Sequence, residues 1–165
     1  MASIAIVASG CGGGDGPSTL SVSGAWARPT PASADNADNA VVYLSIVSPI
    51  DDEIVAVSVP ESVAAEAQLH ESMEAGDSGA HQHGGSSGGV ASDSTGSGTA
   101  VMIMEPLASV PLKAKSVVNF EPGGKHIMLV GLAGPLVRGQ HFDITITMKS
   151  ASPLVASVAV QDNAP

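Results

Sequence analysis

The residues that could do chemistry in this chain are histidines and methionines, and they come in pairs. "GKHIML" sets His126 and Met128 two residues apart at the head of an apolar run. "LHESM" supplies His70 and Met73, and "VMIMEPL" supplies Met102 and Met104. Side chains alternate along a strand, so His126 and Met128 would share one face, and Met102 and Met104 another. Each residue alone has a plain reading: methionine fills irregular gaps in cores, and a single histidine is a satisfied polar group. Together, three segments offering imidazole or thioether make a soft, neutral ligand set. Thioether sulfur suits Cu(I) and has little use for zinc, calcium or magnesium, while imidazole suits copper in either oxidation state. Methionine also forms no disulfide and needs no deprotonation, an advantage in an oxidising compartment. A blue-copper centre would require a thiolate, and the single cysteine, Cys11, sits in the N-terminal segment. Paired Cys or His at zinc-finger spacing is absent. No Ser-His-acid set or carboxylate pair beside a histidine suggests a reaction, so a non-enzyme is expected.

The elements that must position these residues read as strands. The chain has 165 residues, room for one domain plus tails, with eleven Pro and four aromatic residues. Strand-like runs are "TLSVSGAWA", "AVVYLSIVS", "EIVAVSV", "AVMIM", "KSVVNFE", "KHIMLVGL", "HFDITITMK" and "PLVASVAVQ", with "AAEAQLHESM" ambiguous between helix and strand. Eight or nine strands with frequent turns predict an all-β sandwich. Trp26 is expected to pack in the core, and His141 and Met148 to be structural. Within this domain, residues 76–100 hold fourteen Gly or Ser in twenty-five positions and predict a long disordered Gly/Ser/His insert loop in a hairpin. The loop carries His81 and His83 as "HQH", which are either incidental or a loose second site for Cu(II). A net charge of −10 and only six Lys and Arg, unclustered, argue against nucleic acid as a partner.

The N-terminus runs "MASIAIVASGCGGGDGPS". Small and apolar residues lead into Ala8-Ser9-Gly10-Cys11, the pattern of a lipoprotein signal that is cleaved before a lipidated cysteine. The segment before Cys11 is ten residues long and lacks basic residues, so it reads as a truncated signal. The expected organisation is a signal segment 1–10, a lipidated Cys11 opening a flexible tether 11–19, and a β-sandwich domain 20–161. Acyl chains would then hold the protein extracytoplasmically, on the outer face of the cell membrane or in the periplasm.

The spacing of the ligand candidates resembles that of the periplasmic copper chaperones called PCuAC, whose pattern is His or Met, ten residues, Met, twenty-one residues, His-x-Met. Twenty-one residues separate Met104 from His126, and His126-Ile127-Met128 supplies the last element. Thirty-three residues separate His70 from Met104, a surplus of twenty-three over the family spacing that is close to the length of the Gly/Ser-rich insert. "AWARPTP", "YLSI", "MEPL", "EPGGKHIMLVGL" and "PLVRGQHFDITI" are also similar to the family, so that the resemblance covers about residues 22–160. It implies a cupredoxin-like, immunoglobulin-like Greek-key β-sandwich with one Cu(I) in a shallow, exposed site of His70, Met104, His126 and Met128. Met73 and Met102 are further candidates for packing or for lining the site. It also implies a copper-receiving oxidase subunit or assembly factor as partner, for the CuA centre of cytochrome c oxidase. A surface-anchored copper buffer without a dedicated recipient and a purely structural β-sandwich are the competing functions. A monomer is expected.

Overall fold

In the computed structural model residues 19–31, 39–74 and 102–165 are described. Ten strands run through them: β1 (Ser21–Ala27), β2 (Asn39–Val47), β3 (Asp52–Ser58), β4 (Ala64–Glu74), β5 (Met102–Pro106), β6 (Val110–Leu112), β7 (Val117–Phe120), β8 (Lys125–Leu132), β9 (His141–Met148) and β10 (Leu154–Val160). Among the described residues there is no helix. Alternation sets the faces. In β2, Ala40, Val42, Leu44 and Ile46 are buried while the residues between them are not, and β9 repeats this with Phe142, Ile144, Ile146 and Met148. Period-two burial of this kind is what an antiparallel sheet with one covered face requires.

The strands join in the order β5-β4-β8-β2-β1-β10-β9-β3-β6, with β7 pairing the second half of β2. Pairing is antiparallel except between β1 and β10, which lie parallel and bring the two ends of the domain side by side. The sheet curls on itself, and its inward residues form one cluster that includes Leu69, Ile127, Leu129, Ile144, Ile146 and Val158. Each such aliphatic side chain contributes about 1.5–3 kcal/mol by leaving water. Register shifts in β1, between Ser23 and Trp26, and in β3, between Ile54 and Ala56, supply local bends.

The expected all-β architecture is the one observed, with two differences in detail. The strand missing from the sequence reading is β6, three residues with Pro111 at its centre. It closes one end of the strand order and pairs only with β3, the edge position where a residue lacking an N–H is tolerated. The ambiguous "AAEAQLHESM" is strand, held between β8 and β5. Trp26 is buried, but outside the main cluster: its ring lies 5.1 Å from Tyr43 at 40°, with the Arg28 guanidinium 5.9 Å from its centroid. Met148 is in the core, and His141 is exposed with Nδ1 3.2 Å from the Gly139 carbonyl.

Candidate metal centre

Three neighbouring strands, β5, β4 and β8, carry the candidate ligands. Across β4 and β8, His70 stands opposite His126 and Gln68 opposite Met128. Across β4 and β5, His70 stands opposite Pro106 and Ser72 opposite Met104. Residues opposite one another in an antiparallel pair share a face, as do alternate residues along a strand. Met104, His70, His126 and Met128 therefore occupy one face, the reverse of the one that sends Leu69 and Ile127 into the core. His70 is the hub: directly across from His126, and diagonal to both Met104 and Met128. Diagonal neighbours lie roughly 7–8 Å apart at the backbone, within reach of long side chains.

The two imidazoles are 5.8 Å apart between centroids, their planes inclined at 38°. Both are buried, with 9% of His70 and 3% of His126 exposed. Each ring has one nitrogen engaged. His126 Nδ1 donates to the Gly124 carbonyl at 3.0 Å, and His70 Nε2 donates to Gln68 Oε1 at 2.9 Å. The others, His70 Nδ1 and His126 Nε2, are buried without a hydrogen-bond partner. A buried polar atom left unpaired costs about 1–3 kcal/mol, and here two occur on one pair of facing side chains. Burial pushes the His70 pKa below its ordinary value, and the neighbouring His126 pushes it the same way. The ring is thus kept neutral, the form that binds metals.

The turn before β8 builds this geometry. In Glu121-Pro122-Gly123-Gly124 the Gly124 N–H returns to the Glu121 carbonyl at 3.0 Å, and Gly123 has φ +83°. Proline at the second position and a positive φ at the third define a type II turn, which calls for glycine there. The turn leaves the Gly124 carbonyl accepting both His126 Nδ1–H and, at 3.1 Å, the Ser72 N–H of β4. One residue along, Lys125 and Glu71 form a half-buried ion pair at 2.5 Å that fixes the same register from the other face.

Among the described residues no group of three or more His, Cys, Asp and Glu could hold a metal ion. The soft side chains that share the face of His70 and His126 are the thioethers of Met104 and Met128, a donor set that favours a soft ion.

Comparison with known proteins gives the family and the fold. The LpqE-like family model, a family of lipoproteins by its description, matches residues 20–160. The chain belongs to the LpqE-like family. A curated relative from Leifsonia xyli subsp. xyli, described as "Putative lipoprotein Lxx21020", is 35% identical over 60 residues, and the chain spans 36% of its length. Among solved structures, the copper-bound PCuAC domain from PmoF2 matches with a TM-score of 0.58 at 17% identity, covering 88% of this chain and 94% of that one. The apo PCuAC domain from PmoF1 gives 0.55 at 22%, covering 90% and 98%. The Cu(I) form of DR1885 from Deinococcus radiodurans gives 0.54 at 21%, covering 88% and 82%. At these identities the likeness is one of fold: this LpqE-like chain has the cupredoxin-like fold of PCuAC domains.

The remaining candidates fall in different places. Met104 is 57% exposed and Met128 half-buried, so the expectation of a shallow, exposed site holds only for the thioether on β5; the imidazoles lie beneath the surface. Direct cross-strand pairing aligns the four candidates. Met73 stands opposite Ile103, an odd number of residues from His70, and so belongs to the reverse face with the exposed Ile103. Met102 occupies the register position opposite Glu74, two residues from Met104. His81, His83 and Cys11 lie outside the described residues. Two contributors escaped the sequence reading, Gln68 and the Gly124 carbonyl. The signal for the first was available: a carboxamide two residues before a histidine lies on the same strand face.

Proposed function

We propose that this LpqE-like protein binds one Cu(I) through His70, Met104, His126 and Met128 and hands it to a copper-receiving protein outside the cytoplasm, without catalysing a reaction. The observation that carries this reading is the pair of buried, unpartnered nitrogens, His70 Nδ1 and His126 Nε2, on the face that also bears two methionines. Two imidazoles and two thioethers suit Cu(I) and offer zinc no anionic ligand. The solved structures that share its fold support the reading, since two of them are described as holding copper, one of these as Cu(I). Copper is cargo here. Met104, exposed on the terminal strand β5, is the ligand an acceptor would displace first. The recipient we propose is an oxidase subunit or assembly factor that fills a CuA centre, with residues 20–161 acting as a monomeric copper domain. The segment 1–10 would serve as the signal and Cys11 as the lipid anchor to the outer face of the membrane.

A second reading, a surface-held copper buffer, draws on His81 and His83 in the segment that joins β4 to β5, which would take up a further Cu(II). A competitive Cu(I) titration under reducing conditions tests the site. One equivalent should bind, and Met104→Ala with His126→Ala should weaken it by more than the roughly 10–100-fold typical of losing an outer-shell partner. Deleting residues 77–99 should leave that equivalent in place. Binding that survives the double substitution overturns the assignment. Transfer of the bound copper to an apo CuA domain separates chaperone from buffer.

A further inference from the structure

The two histidines do not keep the same nitrogen free. Gly124 engages Nδ1 of His126 and leaves Nε2, whereas Gln68 engages Nε2 of His70 and leaves Nδ1. A carbonyl oxygen only accepts, so His70 carries its proton on Nε2 and its lone pair on Nδ1. For His126 that choice is made by the backbone. For His70 it is made by one side chain.

We propose that Gln68 is a positioning residue, which fixes the tautomer and ring orientation of His70 so that Nδ1, with Nε2 of His126, is offered to a single metal ion. The proposal rests on the copper reading above for the identity of the ion. Three observations carry it. The Gln68 carboxamide lies 2.9 Å from the ring, on the same strand and the same face, two residues earlier. The atom left over, His70 Nδ1, is buried and has no other partner. Gln68 is also opposite Met128, so its carboxamide is set at the boundary between the imidazole pair and that thioether. An imidazole without such an acceptor exchanges its two tautomers and can turn its ring over. Half of those states would present an N–H, not a lone pair, to the metal. Acceptors that hold the distal N–H of a ligating histidine are worth about 10–100-fold in metal affinity.

The test is carried out on the full chain, isotope-labelled with 15N and free of metal, by long-range 1H–15N correlation of the imidazoles at neutral pH. Wild type should give His70 as the Nε2–H tautomer and His126 as Nδ1–H. Gln68→Leu should give His70 averaged shifts of both tautomers and a Cu(I) affinity lower by roughly tenfold or more. Gln68→Glu keeps an acceptor oxygen and should retain the Nε2–H tautomer and most of the affinity. His70 protonated on Nδ1 in wild type would overturn the proposal, since Gln68 would then present its amide nitrogen; this needs no variant to fold. So would a Gln68→Leu protein with a native amide spectrum and unchanged tautomer and affinity. If the tautomer follows Gln68 but none of the proteins takes up Cu(I), the copper reading fails while the positioning of His70 by Gln68 stands.

Discussion

Replacing His126 by leucine should make the metal-free protein more stable, and should make the copper-loaded protein less so. The buried Nε2 has no hydrogen-bond partner in the protein. Leaving such an atom dry costs about 1–3 kcal/mol, and leucine, close to imidazole in volume, removes that cost. The substitution also loses the Nδ1–H bond to the Gly124 carbonyl, a net loss of about 0.5–1.5 kcal/mol. That carbonyl is not orphaned, because the Ser72 N–H still donates to it. At mid-range the balance favours the variant by about 1 kcal/mol, before any gain from the added apolar surface. Copper reverses the order: a ligand at a hundred times its dissociation constant stabilises wild type by about 2.7 kcal/mol and the variant by far less. Urea unfolding, with a chelator present and then with Cu(I) under reducing conditions, measures both differences, provided the m-value is unchanged. A metal-free variant that unfolds at lower urea than wild type would refute the reasoning, because the nitrogen would not then be an uncompensated burial. Equal stabilisation of both proteins by copper would place the ligands elsewhere.

Other expectations concern the supports of the site and the fold. Gly123→Ala puts a Cβ into open space at a φ of +83°, so its effect is conformational: about 1–2 kcal/mol of stability by urea unfolding, with Cu(I) affinity falling as the Gly124 carbonyl is re-aimed. Unchanged affinity would mean that the turn does not orient His126. Leu129→Ala leaves a cavity in the centre of the core and should cost about 2–5 kcal/mol; a smaller loss would show that the sheet collapses around it. Burial pushes the Asp52 carboxyl up, but N–H groups of Glu53, Ala151 and Ser150 together outweigh it and hold the pKa below its ordinary 3.8. A depressed folded pKa gives stability that is present above pH 3.8 and lost as pH falls through the folded value. Asp52→Asn should therefore flatten the acid end of the stability profile, and an unchanged slope would assign that limb to other carboxylates. Met104→Leu should speed copper transfer to an acceptor more than Met128→Leu does, read by stopped flow; the reverse order would move the exit to β8.

The elements that could be read from sequence are those whose burial is local. In β2 and β9 alternation alone names the inward residues, and the even spacing of His126 and Met128 names their common face. β4 could not be read that way. Its "AAEAQ" favours helix, and only the register with β8 and β5 makes it a strand, a tertiary effect that outweighs propensity. The same register decides the site. Whether His70 and Met104 share a face depends on how the β4–β5 hairpin is paired across the segment between them, and a slip of one residue would put them on opposite sides. The burial of the imidazoles was not legible for a related reason. Side chains on the outer face of a sheet are ordinarily wet, and how far these two are covered depends on the twist and on neighbouring strands, not on the residues beside them in sequence. Gln68 escaped notice because its role appears only once one nitrogen of His70 is seen to lack a partner.

On the proposed Cu(I) site, the gradient of exposure across the three strands would let a soft cation be held and still released. His126, opposite His70, lies on β8, a strand that pairs with β4 on one side and, from Ile127 onward, with β2 on the other, and its ring is aimed by a turn carbonyl. His70, on β4, is aimed by a side chain. Met104 stands on β5, the last strand in the order, paired on one side only among the described residues, with more than half its surface in solvent. Exposure thus rises from His126 through His70 to Met104, with Met128 half-buried. A metal bound across such a gradient keeps its imidazole ligands fixed while the outermost thioether exchanges, so that an incoming acceptor can enter the shell without opening the core. If all four ligands were as buried as His126, release would require local unfolding of β8, whose Ile127 and Leu129 anchor the core. If all four were as exposed as Met104, nothing would keep the imidazoles dry. Placing the histidines on inner strands and one methionine on the edge strand meets both demands with a single register.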